Sequence, residues 1–418
     1  MAGRRLTLSA NSVLLCLKVF SGAESLSIRD RIMAMQLLPF HRPEVTDDEI
    51  QSVVETLRSG WLTTGPKVKR FEQDFAEYLG CRHAVAVNSG TAALHLALEA
   101  IGIKEGDEVI VPTVTFAATA EVVLYFRATP VLVDCLPDTL NVDPKQIERA
   151  ITAKTKAIIP VHFGGQPCDM NSILELAKHH HLKVIEDAAH ALPAAYQGRK
   201  VGTIGDITCF SFYATKTITT GEGGMATTEN PEWADRMRMM SLHGISLDAW
   251  DRYTDKGSWY YEIIRPGYKY NLTDIAAALG IVQLKKSDQF WQARHRIAAH
   301  YHLAFADLPE IQVPASIPDI QHAWHLYVIQ LNIERLRIDR RDFIQALKSE
   351  NIGTSVHFIP LHLHPFYRDG CGYKPMDFPQ ASAVFERIVS LPIYPSMTET
   401  DVRDVIVAVR KLVKEYRR

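Results

Sequence analysis

Between His83 and Asp187 the sequence alternates short apolar runs with helical ones, and this rhythm restricts the fold more than any other feature. His83-Ala-Val-Ala-Val87, Glu108-Val-Ile-Val111, Thr129-Pro-Val-Leu-Val133, Ala157-Ile-Ile-Pro-Val161 and Lys183-Val-Ile-Glu-Asp187 read as strands, and the apolar stretch from Thr91 to Ala100 reads as a helix between the first two. Strands that are apolar on both faces belong to sheets covered on both sides. Repeated β/α units of this kind predict an α/β protein with a mostly parallel sheet between two layers of helices.

The flanking segments extend the pattern. Thr46-Asp-Asp-Glu49 is a capping box, followed at helical spacing by Ile50, Val53, Val54 and Leu57, so a helix should start there and stop near Gly60. After Gly267 the pattern predicts one long helix, roughly Thr273 to Phe305, then a linker with Pro314, Pro318 and Asp319, and a new strand at Leu326-Tyr-Val-Ile-Gln-Leu331. Helices near Arg340 to Lys348 and Thr400 to Lys414 complete a smaller α+β region. The expected organisation is an irregular extension over 1–36, a large domain over 37–290 and a small C-terminal domain over 291–418, with the long helix bridging the last two. Within the extension, Val13 to Phe20 after Arg4-Arg5 has the outline of a secretory signal, but Lys18 interrupts it.

Composition excludes several function classes. Among 418 residues, 46 basic side chains face 48 acidic ones, which leaves no basic excess for binding nucleic acid. No run approaches the eighteen or so apolar residues of a membrane span. Six cysteines are scattered without a C-x-x-C pair, as expected of reduced thiols in a cytoplasmic protein.

Four separated pieces carry chemistry. Asn88-Ser-Gly-Thr91 lies where a strand ends and a helix begins, a place where backbone amides and the helix dipole favour an anion such as phosphate, although a plain helix cap has the same sequence. Glu186-Asp187-Ala-Ala-His190 puts a carboxylate at the C-terminal end of a core strand, where open α/β sheets gather their ligands. Phe210-Ser-Phe-Tyr-Ala-Thr-Lys216, before the turn Gly221-Glu-Gly-Gly224, places a lysine beyond an aromatic strand, where burial lowers its pKa and makes it nucleophilic toward aldehydes. The fourth piece, Gly267-Tyr-Lys-Tyr-Asn271-Leu-Thr-Asp274, opens the long helix and alone would be a cap. A phosphate cradle, a ring-facing carboxylate and an amine together match pyridoxal 5'-phosphate. A metal is not expected: His179-His-His181 falls on a predicted helix, where adjacent side chains point about 100° apart. His357, His362 and His364 lie in a loop-rich stretch that could approach a ligand.

With these motifs in place, Ser89-Gly-Thr-Ala-Ala-Leu94, Glu186-Asp-Ala-Ala-His190, Ser211-Phe-x-x-x-Lys216, Gly221-Glu-Gly-Gly224 and Tyr270-Asn-Leu-Thr-Asp274 resemble the DegT/DnrJ/StrS sugar aminotransferases in order and spacing from about Leu38 to the C-terminus. The resemblance implies a fold type I transferase with a seven-stranded sheet, and a cytoplasmic homodimer with two shared active sites. It implies that Lys216 bonds the cofactor and then moves protons, and that Asp187 keeps the pyridine nitrogen protonated. Phe116 would stack on the ring and His190 would sit beside it. Gly90, Thr91 and Ser211 would bind phosphate, with Asn271 reaching it from the partner subunit.

The implied reaction is a ping-pong transfer of the amino group of L-glutamate, which leaves as 2-oxoglutarate, to C4 of a nucleotide-linked keto sugar. Trp61-Leu-Thr-Thr-Gly65, Gly267 to Asn271 and His322-Ala-Trp-His325 resemble enzymes that make UDP-4-amino-4-deoxy-L-arabinose for lipid A. His162-Phe-Gly-Gly-Gln-Pro-Cys168, Thr217-Ile-Thr-Thr-Gly221 and Trp259-Tyr-Tyr-Glu262 resemble enzymes acting on UDP-4-keto-6-deoxy-N-acetylhexosamines equally well. Two alternatives share the fold: a sugar dehydratase, disfavoured by Lys216 and the scattered cysteines, and a non-catalytic cofactor-binding regulator, disfavoured by the full set of site residues.

Overall fold

The capping box forms as expected. Thr46 accepts from the Asp48 amide, Glu49 accepts from the Thr46 amide at 2.8 Å, and the helix Asp47–Ser59 ends on Gly60 at φ 75°. The computed structural model describes residues 37–246, 261–315 and 317–418, and Leu38–Arg418 form one compact unit. The expected irregular extension, Cys16, and the Trp259 and Tyr260 of the segment quoted above lie outside the described residues.

The strands are β1 (His83–Val87), β2 (Glu108–Pro112), β3 (Thr129–Val133), β4 (Thr155–Ile158), β5 (Lys183–Asp187), β6 (Ala195–Tyr196), β7 (Arg199–Lys200), β8 (Ile207–Ser211), β9 (Gly224–Thr228), β10 (Ile311–Gln312), β11 (Ile320–Gln321), β12 (Tyr327–Leu331) and β13 (Ile388–Leu391). Seven of them form one sheet in the order β1-β9-β8-β5-β4-β2-β3. All of its pairings are parallel except those of β9, which runs antiparallel to both β1 and β8. The C-terminal part builds an antiparallel sheet, β10-β12-β13, and a small third sheet joins β11, β6 and β7.

Three differences from the sequence reading have physical causes. The strand expected over 157–161 is regular over Thr155–Ile158 and its ladder is interrupted at Pro160, which has no amide to donate; the Ile159 amide still reaches the Ile110 carbonyl, and Val161 is bridged to Asp187. The segment after the glycine turn is a strand, β9, whose run of Gly, Ala and Thr lacks the apolar bulk of the other core strands. The run expected as one helix is two, Asp274–Lys285 and Ser287–Phe305, with the turn at Lys286 (φ −93°, ψ −3°). At that break the Lys286 ammonium reaches Glu49 at 2.9 Å and Thr46 at 2.7 Å, a tertiary contact that the local sequence does not encode.

The sheet alternation positions the chemistry. Phe210 and Phe212 turn to one side of β8 and pack on Phe71 and Phe75 of the helix Pro66–Leu79, with ring centroids 5.2 to 5.6 Å apart. All four rings are fully buried, each worth roughly 1.5–3 kcal/mol of transfer free energy. Ser211, between the two rings in sequence, therefore faces the other side. Its backbone lies opposite Gly224, which in turn lies opposite Val87, so the ends of β1 and β8 and the start of β9 share one edge. Asp187, opposite Cys209, ends β5 at that same edge.

Candidate active site

Asp187 is fixed before its side chain is considered. Its amide donates to the Pro160 carbonyl at 2.9 Å and its carbonyl accepts from the His162 amide at 3.1 Å. The side chain is buried, with Oδ2 accepting from the Thr119 hydroxyl at 2.7 Å and Oδ1 from the Ala189 amide at 3.1 Å. Burial pushes its carboxyl above the usual range; the Thr119 and Ala189 hydrogen bonds and the positive charge of Lys216 pull it back. Its neighbour Glu186 points to the opposite face, where it accepts from His162 Nε2, Thr208 and the Gly205 amide. Two adjacent carboxylates thus have separate surroundings.

Lys216 sits in the connection between β8 and β9, its amide donating to the Tyr213 carbonyl at 2.9 Å. Thr217 to Thr220 behind it are buried, and Thr220 donates its amide to the Phe212 carbonyl, which ties the loop to the aromatic core. Burial lowers the Lys216 pKa to about 8, partly opposed by the charge of Asp187. Near-neutral conditions therefore leave a usable fraction of free amine, which an ordinary lysine lacks.

Four imidazoles face this amine. His190 is buried, stacks on Phe358 at 5.8 Å and lies 4.4 Å from the His325 ring. Its Nδ1 accepts from the Gly164 amide, which places the proton on Nε2. Burial, reinforced by repulsion from Lys216, holds His190 and His325 well below the usual histidine range and His357 at about 4. His41 is also held at about 4, by burial and the charges of Arg294 and Lys216. Arg294, itself buried, donates to the carbonyls of Trp324 and Ile393 and so holds the turn that presents His325. The four imidazoles around Lys216 thus stay uncharged.

The anion cradle lies at the neighbouring strand ends. Ser89 caps the helix Gly90–Ala100, accepting from the Ala92 amide at 3.0 Å. A Cβ on Gly90 would come within 2.9 Å of Ser211 Cβ, and one on Gly224 within 2.4 Å of the Ser89 carbonyl oxygen. Gly90, Thr91 and Ser211 are thereby brought together at a helix N-terminus, and glycine is what allows the approach. The backbone contact at Gly224 cannot yield as a flexible side chain would. Gly224→Ala should displace the Ser89-Gly90 turn, at a cost of roughly 1–3 kcal/mol, and weaken cofactor phosphate binding by about tenfold or more. A fluorescence titration with pyridoxal 5'-phosphate, showing wild-type affinity in this variant, would disprove that arrangement.

Phe116, on the loop after β2, is 64 % exposed and 6.2 Å from Phe358, with its ring open at the edge of the site. Asn271 bridges by its backbone to Val87, but its side-chain amide donates to Thr64 of the same chain at 2.7 Å. Thr64 and Asn271 line one end of a cavity of about 820 Å³ along β1 that contains neither Lys216 nor Asp187. The Asn271 segment also acts as a cap: Thr273 caps its own helix, and buried Asp274 accepts from the amides of Lys67 and Val68 at the start of another. Sequence reading did not single out Thr119, His41, Arg294 or Phe358. Only Thr119 left a usable signal, as the second of two threonines four residues apart at a helix start.

A fold with a mostly parallel seven-stranded sheet and a lysine, a carboxylate and a helix N-terminus at one edge defines a pyridoxal 5'-phosphate-dependent transferase of fold type I. Residues 43–410 match the DegT/DnrJ/EryC1/StrS aminotransferase family, and the chain belongs to it. It is 54% identical over 378 residues to the spore coat polysaccharide biosynthesis protein SpsC of Bacillus subtilis, covering 90% of this chain and 97% of that one. Spr1654 of Streptococcus pneumoniae, assigned as a sugar aminotransferase and solved in its PMP form, superposes with a TM-score of 0.85 at 36% identity, over 90% of this chain and 99% of that one. Its PLP form is equally similar, with a TM-score of 0.84. Helicobacter pylori PseC, an aminotransferase involved in the biosynthesis of pseudoaminic acid, gives 0.85 at 28% identity, over 91% of this chain and all of that one. Pyridoxal 5'-phosphate is the cofactor of this family, and a cradle for a dianion, a buried carboxylate and a low-pKa amine fit its phosphate, ring nitrogen and aldehyde.

Proposed function

We propose that this enzyme transfers the amino group of L-glutamate to the C4 keto group of a nucleotide-linked sugar by a ping-pong route, in the assembly of a surface polysaccharide. The observation that carries the reading is the convergence of the Lys216 amine, the Asp187 carboxylate and the Ser89–Thr91 helix start on one sheet edge. The cofactor, when bound, supplies an electron-withdrawing ring and a carbon that takes up and gives back nitrogen. The protein does the rest. Gly90, Thr91 and Ser211 anchor the phosphate, Asp187 holds a proton on the ring nitrogen, and Phe116 and His190 confine the ring. The Lys216 Nζ, whose pKa burial lowers to about 8, moves the proton between the two carbons concerned. The neutral imidazoles add no competing charged acid beside it. A sugar acceptor and a polysaccharide role are supported by the likeness to SpsC, Spr1654 and PseC. Purified protein with L-glutamate and a panel of UDP- and dTDP-linked 4-keto sugars should give a 4-amino product by mass spectrometry. Turnover of simple keto acids with no sugar amine from any member of the panel would remove the sugar assignment.

The working unit in this reading is a homodimer in which Asn271 serves the partner's phosphate site, and the large domain over 37–290 and small domain over 291–418 together enclose each site. In its own chain Asn271 gives its amide to Thr64 rather than to the cradle, and both residues line the cavity along β1. Mixing Asn271→Ala with Lys216→Ala subunits gives hybrids with one site lacking both residues and one retaining both. About a quarter of wild-type activity per subunit should then return. Subunit exchange confirmed by native mass spectrometry with no recovered activity would rule out shared sites.

A further inference from the structure

Three threonines between the end of β2 and the first turn of the helix Ala118–Leu124 are buried to within 1 % of complete: Thr113, Thr115 and Thr119. Buried hydroxyls are costly unless each finds a partner. Thr113 is bonded to His362 Nδ1 at 2.8 Å and accepts from the His362 amide, which anchors the start of this loop to the C-terminal half of the chain. Thr115 and Thr119 are bonded to each other through their hydroxyls at 2.7 Å, and Thr119 is bonded to Asp187 Oδ2 at 2.7 Å. An ionised carboxylate can only accept, so the single Thr119 proton goes to Asp187, and the Thr115 proton must then go to Thr119. The chain of donors has one direction, and it ends on the carboxylate.

We propose that Thr119 is a positioning residue for cofactor binding: its hydroxyl, polarised by Thr115, sets the orientation of the Asp187 carboxyl and keeps it ionised, so that its remaining lone pairs meet the protonated ring nitrogen. This rests on the reading above of Asp187 as the partner of that nitrogen. The groups facing Asp187 make the contribution of Thr119 specific. Lys216 beyond β8 and His162 after β4 favour the ionised form, while burial, with Cys209 as the apolar neighbour on β8, opposes it. The Thr119 hydrogen bond is the largest of the influences favouring the ionised form. A threonine that merely filled space would be replaced without consequence by valine of the same shape.

The experiment compares the apoprotein of wild type, Thr119→Val, Thr119→Ser, Thr115→Val and Asp187→Asn. Each is titrated with pyridoxal 5'-phosphate and with its 1-deaza analogue, in which a CH replaces the ring nitrogen. The Asp187 carboxyl is followed across pH by carbon-13 NMR, assigned by its loss in Asp187→Asn. Thr119→Val should bind pyridoxal 5'-phosphate about tenfold more weakly, bind the deaza analogue within about twofold of wild type, and titrate Asp187 at higher pH. Thr119→Ser should restore both properties, and Thr115→Val should shift both in the same direction by less. Equal weakening toward the two ligands, or no movement of the Asp187 titration, would reduce Thr119 to a structural role. If Asp187→Asn keeps the wild-type preference between the two ligands, the assignment of Asp187 itself fails, whatever Thr119 does.

Discussion

Lys216→Ala should yield a folded protein that binds pyridoxal 5'-phosphate without attaching it, and that has lost transamination by roughly 10²–10⁴-fold from the missing proton transfer alone. The fold should survive because the ammonium has no ion-pair partner among the described salt bridges, and the loop around it is held by Thr217–Thr220 and the Phe212 backbone. Borohydride should fix cofactor on the wild type at residue 216 and nowhere on the variant, as read by peptide mass spectrometry. A second readout uses the apoprotein. With burial lowering its pKa to about 8, Lys216 should react with an amine-selective reagent with a midpoint near that pH, well below the ordinary lysine value of 10.5. The sign follows from charge: below the midpoint the amine is protonated and inert, and above it the free base reacts. A reducible cofactor adduct in the variant, or a midpoint near 10.5, would move the chemistry to another lysine.

The contrast between the legible and illegible parts of this site is physical. Asp187, Lys216 and the Ser89–Thr91 turn were readable because each lies at the end of a strongly apolar strand, so that local pattern and location in the fold are the same information. Thr119, His41, Arg294 and His325 reach the site from elements distant in sequence. Packing of the β12 and β13 region brings Arg294 and His325 there, the crossover after β2 brings Thr119, and no periodicity encodes either. The same distinction governs the fold. The parallel strands announced themselves by apolar runs, whereas β9, rich in Gly and Thr, did not. The residue at the break, Lys286, pairs with Glu49, more than 230 residues away, and its own helical sequence gives no sign of the break.

Asp187→Asn is expected to keep the cofactor while slowing the glutamate half-reaction by roughly 10²–10⁴-fold. The estimate corresponds to about 3–5 kcal/mol for breaking a buried charge pair, converted through the rate expression. The amide is nearly the same size and shape, but the Thr119 hydroxyl and the Ala189 amide address different oxygens of Asp187, so the single amide oxygen keeps one of these donors and loses the other. In either orientation the neutral amide carries no negative charge to sustain a proton on the ring nitrogen. The ring then withdraws fewer electrons when charge develops on the neighbouring carbon. The substitution also acts on the lysine. Asp187 raises the Lys216 pKa against burial, so its neutralisation should move the apoprotein amine midpoint below about 8. Stopped-flow measurement of the half-reaction and the amine titration therefore report on one residue by independent routes. A lowered midpoint with near-normal rate would keep Asp187 as the electrostatic neighbour of Lys216 and remove it as the partner of the ring nitrogen. An unchanged midpoint with a slow rate would mean that its charge reaches the cofactor but not the amine.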